Sequence, residues 1–435
     1  MRFLALPLLL ALAPVALRAT VDFDSDRVSD IWRETYPAAG AATADPDGDG
    51  AANLAESLAG TDPFSAASVL AATPETDAAG NLRLRWPGVA GKRYRIDSSA
   101  DLATWTFGST LYSATDSPAV VLPSGTTADP RRFWRIAVLD IDTDGDGIND
   151  WEEALLGSDP TVPAIALQSH FVPFGLCFGE LTAAEQIARC QTRGFTGLGI
   201  QDVDLGLLRA FSANLEVTSG RFRIYSAMWW INTDTVFAAA VITDLKPKLT
   251  ELKKLNAYLW MVCDTNGAAD KIANAVTNLQ KVADACALYG VTLVIYPHSG
   301  CAIDRAEQAK SLLPQINRAN VKISIHLCHE IMAGNGARIA EVVDAVKDDI
   351  VIASVNGAID TLVWDNWASQ IQPLDQGDYD IRPFLQALAN ANYTGPMELH
   401  TYNLGDPGAT PTATDHLTRS LKKWRTLVAP TAHRP

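Results

Sequence analysis

The sequence predicts an α/β protein: a (β/α)8 TIM barrel over residues 164–428, preceded by a small all-β sandwich module at 66–139 with aspartate-rich loop repeats on either side. Three observations predict it. From Ile165 onward, short apolar runs alternate with amphipathic stretches of helical period. Four of the chain's seven histidines fall where those runs end. Ahead of Ile165 the apolar pattern has period two, and aspartates recur at alternate positions in tight glycine-containing loops.

The N-terminus reads MRFLALPLLLALAPVALRAT: Arg2, an apolar run to about Leu17, then small residues near Ala19. This is the layout of a Sec-type secretory signal over residues 1–19, and the run is short for a membrane span. No Cys near its end invites lipidation, and no Arg-Arg pair points to the twin-arginine route. A bacterial protein that is secreted or periplasmic is expected, with no membrane span in its mature part. All six cysteines (Cys177, Cys190, Cys263, Cys286, Cys301, Cys328) lie in the C-terminal half. Export permits disulfides and the large core permits buried thiols, so their pairing stays open.

Acid is concentrated early. Residues 20–160 carry 24 Asp+Glu against 10 Lys+Arg, a net of −14, whereas 161–435 carry 26 against 23, a net of −3. A nucleic-acid partner, which calls for a basic face, is excluded on this ground. The cause of the excess is local. In segments 20–65 and 140–163, DPDGDGAANLAE places Asp45, Asp47, Asp49, Asn53 and Glu56 at positions 1, 3, 5, 9 and 12, and DTDGDGINDWEE does the same with Asp142, Asp144, Asp146, Asp150 and Glu153. Alternate residues of a tight loop bring oxygens to one centre, glycine at position 6 (Gly50, Gly147) permits the turn, and the last glutamate closes the sphere, as a hard Ca²⁺ ion requires. A third copy, Asp22, Asp24, Asp26 and Asp30, has Arg27 in the glycine place and no acid at position 12. The two good copies end alike, in GTDP and GSDP, and resemble the thrombospondin type 3 calcium repeats of bacterial secreted proteins. That resemblance implies structural spacers.

Between the loops, NLRLRWPGVAGKRYRIDSSADLATW alternates at period two around a Gly88–Gly91 turn, followed by AVVLP and RRFWRIAVL. Short strands over this length predict a sandwich similar to fibronectin-like or immunoglobulin-like modules. Trp86, Trp105 and Trp134 are candidate glycan platforms, with a place in the sandwich core as the plainer reading.

In the C-terminal part the predicted strands are AIALQSHF, FTGLGIQ, FRIYSAMWW, AYLWMV, VTLVIYPH, VKISIHL, DIVIASVN and PMELHTY. Helical stretches such as TAAEQIARCQTRG, DKIANAVTNLQKVADACALYG and DIRPFLQALANANYTG separate them. Ile272, Val276, Leu279, Val282 and Ala283 mark the helix period in the second of these. An open doubly wound sheet is the alternative, but no GxGxxG follows a first strand. Chemistry in such barrels happens at the C-terminal strand ends, where His298, His326, His329 and His400 fall. Alternation pairs Tyr296 with His298, and Glu398 with His400 one layer higher; His326 lies inward and His329 just past its strand. His170, on the first strand, reads as a packing residue.

Tyr296-Pro-His298, Leu327-Cys328-His329, Val355-Asn-Gly-Ala358, Ile371-Gln-Pro-Leu374 and Asn392-Tyr-Thr-Gly-Pro396 stand in an order that resembles the sugar phosphate isomerase/epimerase group, with its xylose-isomerase-like TIM barrel. The resemblance implies a divalent metal, often Mn²⁺, Zn²⁺ or Co²⁺, held by carboxylates and a histidine from the fifth to eighth strands. Here Tyr296 stands at the usual glutamate place and His326 at the usual aspartate place. His329 keeps the histidine position, Ser354 and Asn356 stand where another histidine is common, and Glu398 keeps the carboxylate of the eighth strand. His326 and Glu398 are therefore the expected metal ligands. His298, His329 and Glu398 are the expected catalytic groups. Trp229, Trp230, Asn356, Gln372 and His400 are expected to bind substrate, with Trp364 and Trp367 as further aromatic candidates.

The function so implied is proton transfer next to a carbonyl in a small-molecule or oligosaccharide substrate, as an isomerase or epimerase. Export favours a free sugar or keto-sugar over a phosphorylated one. A 3-keto-glycoside lyase and a non-catalytic glycan-binding barrel remain open beside it. No GxSxG elbow is present, and His329-Glu330 has Ala333 where a zinc protease needs its second histidine. The oligomeric state has no signature.

Overall fold

A computed structural model describes residues 21–430 apart from 23–24, 80–81, 114–118, 122–132 and 361–365. The expected signal at 1–19, Asp24 and Trp364 lie outside the described residues. The chain divides into two compact units between Ala164 and Ile165.

Among its described residues the first unit carries three short helices, α1 (Asp30–Thr35), α2 (Asn53–Ala59) and α3 (Asp150–Leu156), and six strands. The strands are β1 (Thr73–Thr76), β2 (Leu82–Arg85), β3 (Lys92–Ser99), β4 (Leu111–Ser113), β5 (Ala119–Val121) and β6 (Phe133–Asp140). They form two antiparallel three-stranded sheets, β1-β2-β5 and β4-β3-β6. Leu84, Trp86, Tyr94, Ile136 and Val138 share one core, with Trp86 edge-on to Tyr94 at 5.7 Å between ring centroids. Trp86 is thus a core residue, Trp134 packs against the same cluster, and Trp105 lies under the Arg135 guanidinium at 4.2 Å.

The second unit is the barrel. Its strands are β7 (Phe171–Pro173), β8 (Gly197–Ile200), β9 (Arg223–Asn232), β10 (Tyr258–Asp264), β11 (Leu293–Tyr296), β12 (Val321–His326), β13 (Ile350–Val355) and β14 (Met397–Leu399). All neighbours are parallel, in the order β7-β14-β13-β12-β11-β10-β9-β8, and a bridge between Phe174 and Gly199 joins the two ends. The expected first strand is displaced: Ile165 bridges Val428 instead, and regular pairing begins at Phe171. His170 therefore lies ahead of β7, tilted against Tyr225. Alternate residues segregate as period two demands. Trp260, Val262, Val294, Tyr296, Ile352 and Phe174 fill the barrel interior, while Leu259, Met261, Leu293, Ile295, Ala353 and Val355 join the larger core beneath the helices. All six cysteines are buried and free. Among the described residues no helix is long and apolar enough to cross a membrane.

Candidate functional site

The interior aromatic stack sets the floor of the site. The Tyr296 ring packs on both Trp260 (4.4 Å, 19°) and His326 (3.9 Å, 7°), which also pack on each other (4.7 Å, 21°), and the Trp260 indole N–H donates to Ser324 at 2.8 Å. Above this stack, at the C-terminal strand ends, is a cavity of about 340 Å³. His298, His329, His400 and Tyr296 supply its polar wall; Trp230, Trp367 and Tyr402 its aromatic rim; Leu176, Met228 and Ile371 its apolar lining. His298 is two residues beyond Tyr296 and faces the same way; His329 sits in the short helix Leu327–Met332 that starts as β12 ends. The neighbouring Glu330 pins that helix by accepting from the Ala306 N–H at 2.7 Å and the Asn335 side chain at 2.6 Å.

Hydrogen bonding sorts the imidazoles. His298 Nδ1 lies 2.8 Å from the Ser299 carbonyl, so that nitrogen carries the proton and Nε2 is the basic one. The Tyr296 hydroxyl stands 3.3 Å from His329 Nε2 and 3.4 Å from His400 Nε2. Both nitrogens of His326 and Nδ1 of His329 are buried without a partner. Each such orphan costs about 1–3 kcal/mol unless a ligand or solvent meets it. Burial presses the histidines toward the neutral form, His298 to about 4, His400 to about 3, and His326 and His329 well below their usual value; neighbouring imidazoles add to it at His326, His329 and His400, whereas the Ser299 carbonyl and Asp264 oppose it at His298. All four therefore present lone pairs at neutral pH. Ligand nitrogens of His326, His329 and His400 lie within 4.8 Å of one another.

Other expected site residues go elsewhere. Glu398 faces the interior but is fully buried below the cavity; Ser226 donates to its Oε1 at 2.7 Å, its Oε2 has no partner, and burial pushes its carboxyl up to about 8. It is not part of the group formed by His326, His329 and His400. Asn356, expected to meet substrate, is buried and donates to the carbonyls of Gly357 and Gln370; Gln372 donates to the Ser369 carbonyl. Both hold the loop after β13 in place. Trp229 packs outside the barrel against Phe237, because only alternate residues of β9 face inward; Trp230 lines the cavity, edge-on to His298 at 4.7 Å.

Residues not foreseen are Tyr296 as a hydrogen-bonding group, Ser226, and Gly199. A Cβ on Gly199 would lie 2.2 Å from Glu398 Oε2 and 2.7 Å from Ser226 Oγ. Glycine inside an apolar strand signals such close approach, and GLG in FTGLGIQ carries that signal. Gly199→Ala is expected to destabilise the barrel by about 1–3 kcal/mol, read as a lowered Tm. The loss in a Gly199→Ala/Glu398→Ala pair should fall below the sum of the single losses; strict additivity would contradict the contact.

In the first unit, Asp45, Asp47 and Asp49 cluster, as do Asp142, Asp144 and Asp146, each set with oxygens within 4.8 Å. Gly50 and Gly147 have φ of 94° and 95°, the left-handed turn expected at position 6. The test of fit to a cation is the unpartnered oxygens. Asp47 Oδ2, Asp49 Oδ2, Asn53 Oδ1 and Glu56 Oε2 in one loop, and Asp144 Oδ2 and Glu153 Oε2 in the other, are buried with no donor. Acceptor-only orphans at this spacing suit a hard ion. Asp150 departs from expectation: Thr143 donates to both its oxygens, so it braces the loop. In the third copy the Arg33 guanidinium pairs with Asp26, and Asp22 accepts from the amides of Asp26 and Arg27. A side-chain cation meets that loop's charge.

A parallel eight-stranded barrel with imidazoles converging at its C-terminal mouth defines the class. The family described as "Xylose isomerase-like TIM barrel" matches residues 200–424, and the chain belongs to it. The bacterial TSP3 repeat matches 45–66 and 142–163. No curated protein matches the chain. Similar solved structures include D-allulose 3-epimerase from Methylomonas sp. (18% identity, 61% of this chain and 100% of that one, TM-score 0.48). A xylose isomerase domain containing protein from Salmonella typhimurium (13%, 61% and 99%, 0.49) and 3-keto-D-glucoside 4-epimerase from E. coli (13%, 59% and 99%, 0.46) are also similar.

Proposed function

We propose that this chain is an exported carbohydrate-active enzyme of the isomerase or epimerase type, which moves a proton at the carbon next to a sugar carbonyl. The observation that carries the reading is the single cavity where His298, His329, His400 and Tyr296 converge beside Trp230 and Trp367. His298 Nε2, with its tautomer set by the Ser299 carbonyl, is the base that takes the carbon-bound proton. The Tyr296 hydroxyl, shared between His329 and His400, is the donor placed for the carbonyl oxygen as it gains charge. Return of a proton to the opposite face gives the epimer; return to the neighbouring carbon gives the isomer. The indoles of Trp230 and Trp367 offer a flat face to the sugar's C–H groups, and Leu176, Met228 and Ile371 keep water from the enediol. A divalent transition ion bound beside the cavity would add a positive charge next to the forming enediolate oxygen. Calcium in the two aspartate loops is assigned a structural role.

The test is proton exchange. The full chain is incubated with a panel of free ketohexoses and 3-keto-glycosides in D₂O and followed by NMR. Deuterium entering at a carbon next to the carbonyl is expected for at least one substrate. No incorporation across the panel, with the protein folded, would remove the reading.

A further inference from the structure

Tyr296 stands at one expected carboxylate position and Glu398 is outside the histidine group, yet a different donor set has assembled beside Tyr296. We propose that His326, His329 and His400 form a three-imidazole site for one borderline divalent ion, Zn²⁺ or Co²⁺, at the floor of the cavity. The three rings come from separate rigid positions: the end of β12, the short helix that follows it, and the residue after β14. Their centroids are 5.3, 5.9 and 6.0 Å apart, and one nitrogen from each lies within 4.8 Å of the others. A tetrahedral ion with Zn–N bonds of about 2.0–2.1 Å holds its nitrogens about 3.3 Å apart, so small ring rotations close the site.

The second observation is the unmet hydrogen bonding. His326 is 1% exposed and neither of its nitrogens has a partner; His329 Nδ1 also has none. His400 Nδ1 accepts from the Tyr402 amide, so its Nε2–H donates to the Tyr296 oxygen, whose own hydrogen goes to His329 Nε2. A cation bound by one nitrogen of each ring meets the unpartnered lone pair of His326, with the Tyr296 oxygen beside it and the cavity open at the remaining position. The donors also select the metal. Three neutral imidazoles and no carboxylate suit Zn²⁺ or Co²⁺ and poorly suit Mn²⁺ or Mg²⁺. Glu398 is held by Ser226 and lies outside the cluster, and Tyr296 occupies the fifth-strand position, packed on both Trp260 and His326. Binding through His400 Nε2 moves that ring's proton to Nδ1 and releases its 3.3 Å contact with the Tyr402 amide.

This inference rests on the same cavity as the proposed function but not on any substrate. The experiment strips the full chain with chelator, fills the aspartate loops with excess Ca²⁺, and titrates with Co²⁺ alone. One Co²⁺ per chain is expected, with the intense visible bands of a four-coordinate, imidazole-bound ion. His326→Ala and His400→Ala are expected to abolish those bands, while Glu398→Gln keeps them. Should the alanine variants not fold, X-ray absorption on the wild-type complex decides the matter by its count of bound imidazoles, expected to be three. Absence of the bands, their survival in a folded His326→Ala protein, or their loss in folded Glu398→Gln would overturn the site. Deuterium exchange by a chain that takes up no cobalt would sink this inference alone. Cobalt bands without exchange would leave it standing and remove the proposed reaction.

Discussion

His298→Ala is expected to lower kcat by about 10²–10⁴-fold on any substrate that exchanges deuterium, the range general acid–base catalysis supplies, with KM and Tm nearly unchanged. Three features single out this histidine. Its proton is fixed on Nδ1 by the Ser299 carbonyl, so the free nitrogen is always the same one. It lines the cavity while keeping partial exposure, unlike buried His326. Burial holds it neutral down to about pH 4, so the base form needs no activation near neutrality. Trp230→Ala is the contrasting control. Trp230 is 45% exposed and carries no transferable proton, so its loss should appear mainly in KM. A His298→Ala protein with wild-type kcat would move the base role to His329 or the phenol, and equal kcat losses in both variants would point to a shape effect instead.

The barrel was legible because its alternation is undisguised. FRIYSAMWW, AYLWMV and VKISIHL become β9, β10 and β12 with only end residues shifted. The same alternation placed His298 with Tyr296 and His400 with Glu398 on the inner face. It could not assign depth. Whether an inward carboxylate reaches the cavity depends on how high the aromatic stack of Trp260, Tyr296 and His326 rises, and stacking between strands leaves no period in the chain. Nor could it say that Asn356 and Gln372 would be consumed by loop carbonyls 14 and 3 residues away. Trp229 illustrates the converse. Two adjacent tryptophans on one strand must face opposite ways, so the pair WW itself allowed only one of them into the site. The first strand was misplaced because AIALQSHF is apolar enough for a strand, yet its start meets Val428 rather than a barrel neighbour.

Chelation of calcium should give the largest change in stability, and its size should depend on pH with a defined sign. Burial first, then the charges of Asp47 and Asp49, raises Glu56 from its ordinary 4.5 to about 7; burial with Asp144 and Asp146 does the same to Glu153. In chelator the folded chain therefore binds more protons than the unfolded one between pH 4.5 and 7. Stability is fully present below the unfolded value and is lost as pH rises through about 7. Calcium supplies the missing charge and displaces those protons. At about a hundredfold excess over Kd, a site adds about 2.7 kcal/mol. The expected result is that calcium raises the melting temperature of the N-terminal unit more at pH 8 than at pH 5. The wild-type protein in chelator should melt lower at pH 8 than at pH 5, and a Glu56→Gln/Glu153→Gln variant in chelator should lose most of that difference, since glutamine stays neutral at both. The same variant should respond weakly to calcium at either pH, because the acid at position 12 of each loop is gone. A calcium shift of equal size at both pH values, or one that survives in the double variant, would show that the two glutamates neither hold the ion nor carry the proton.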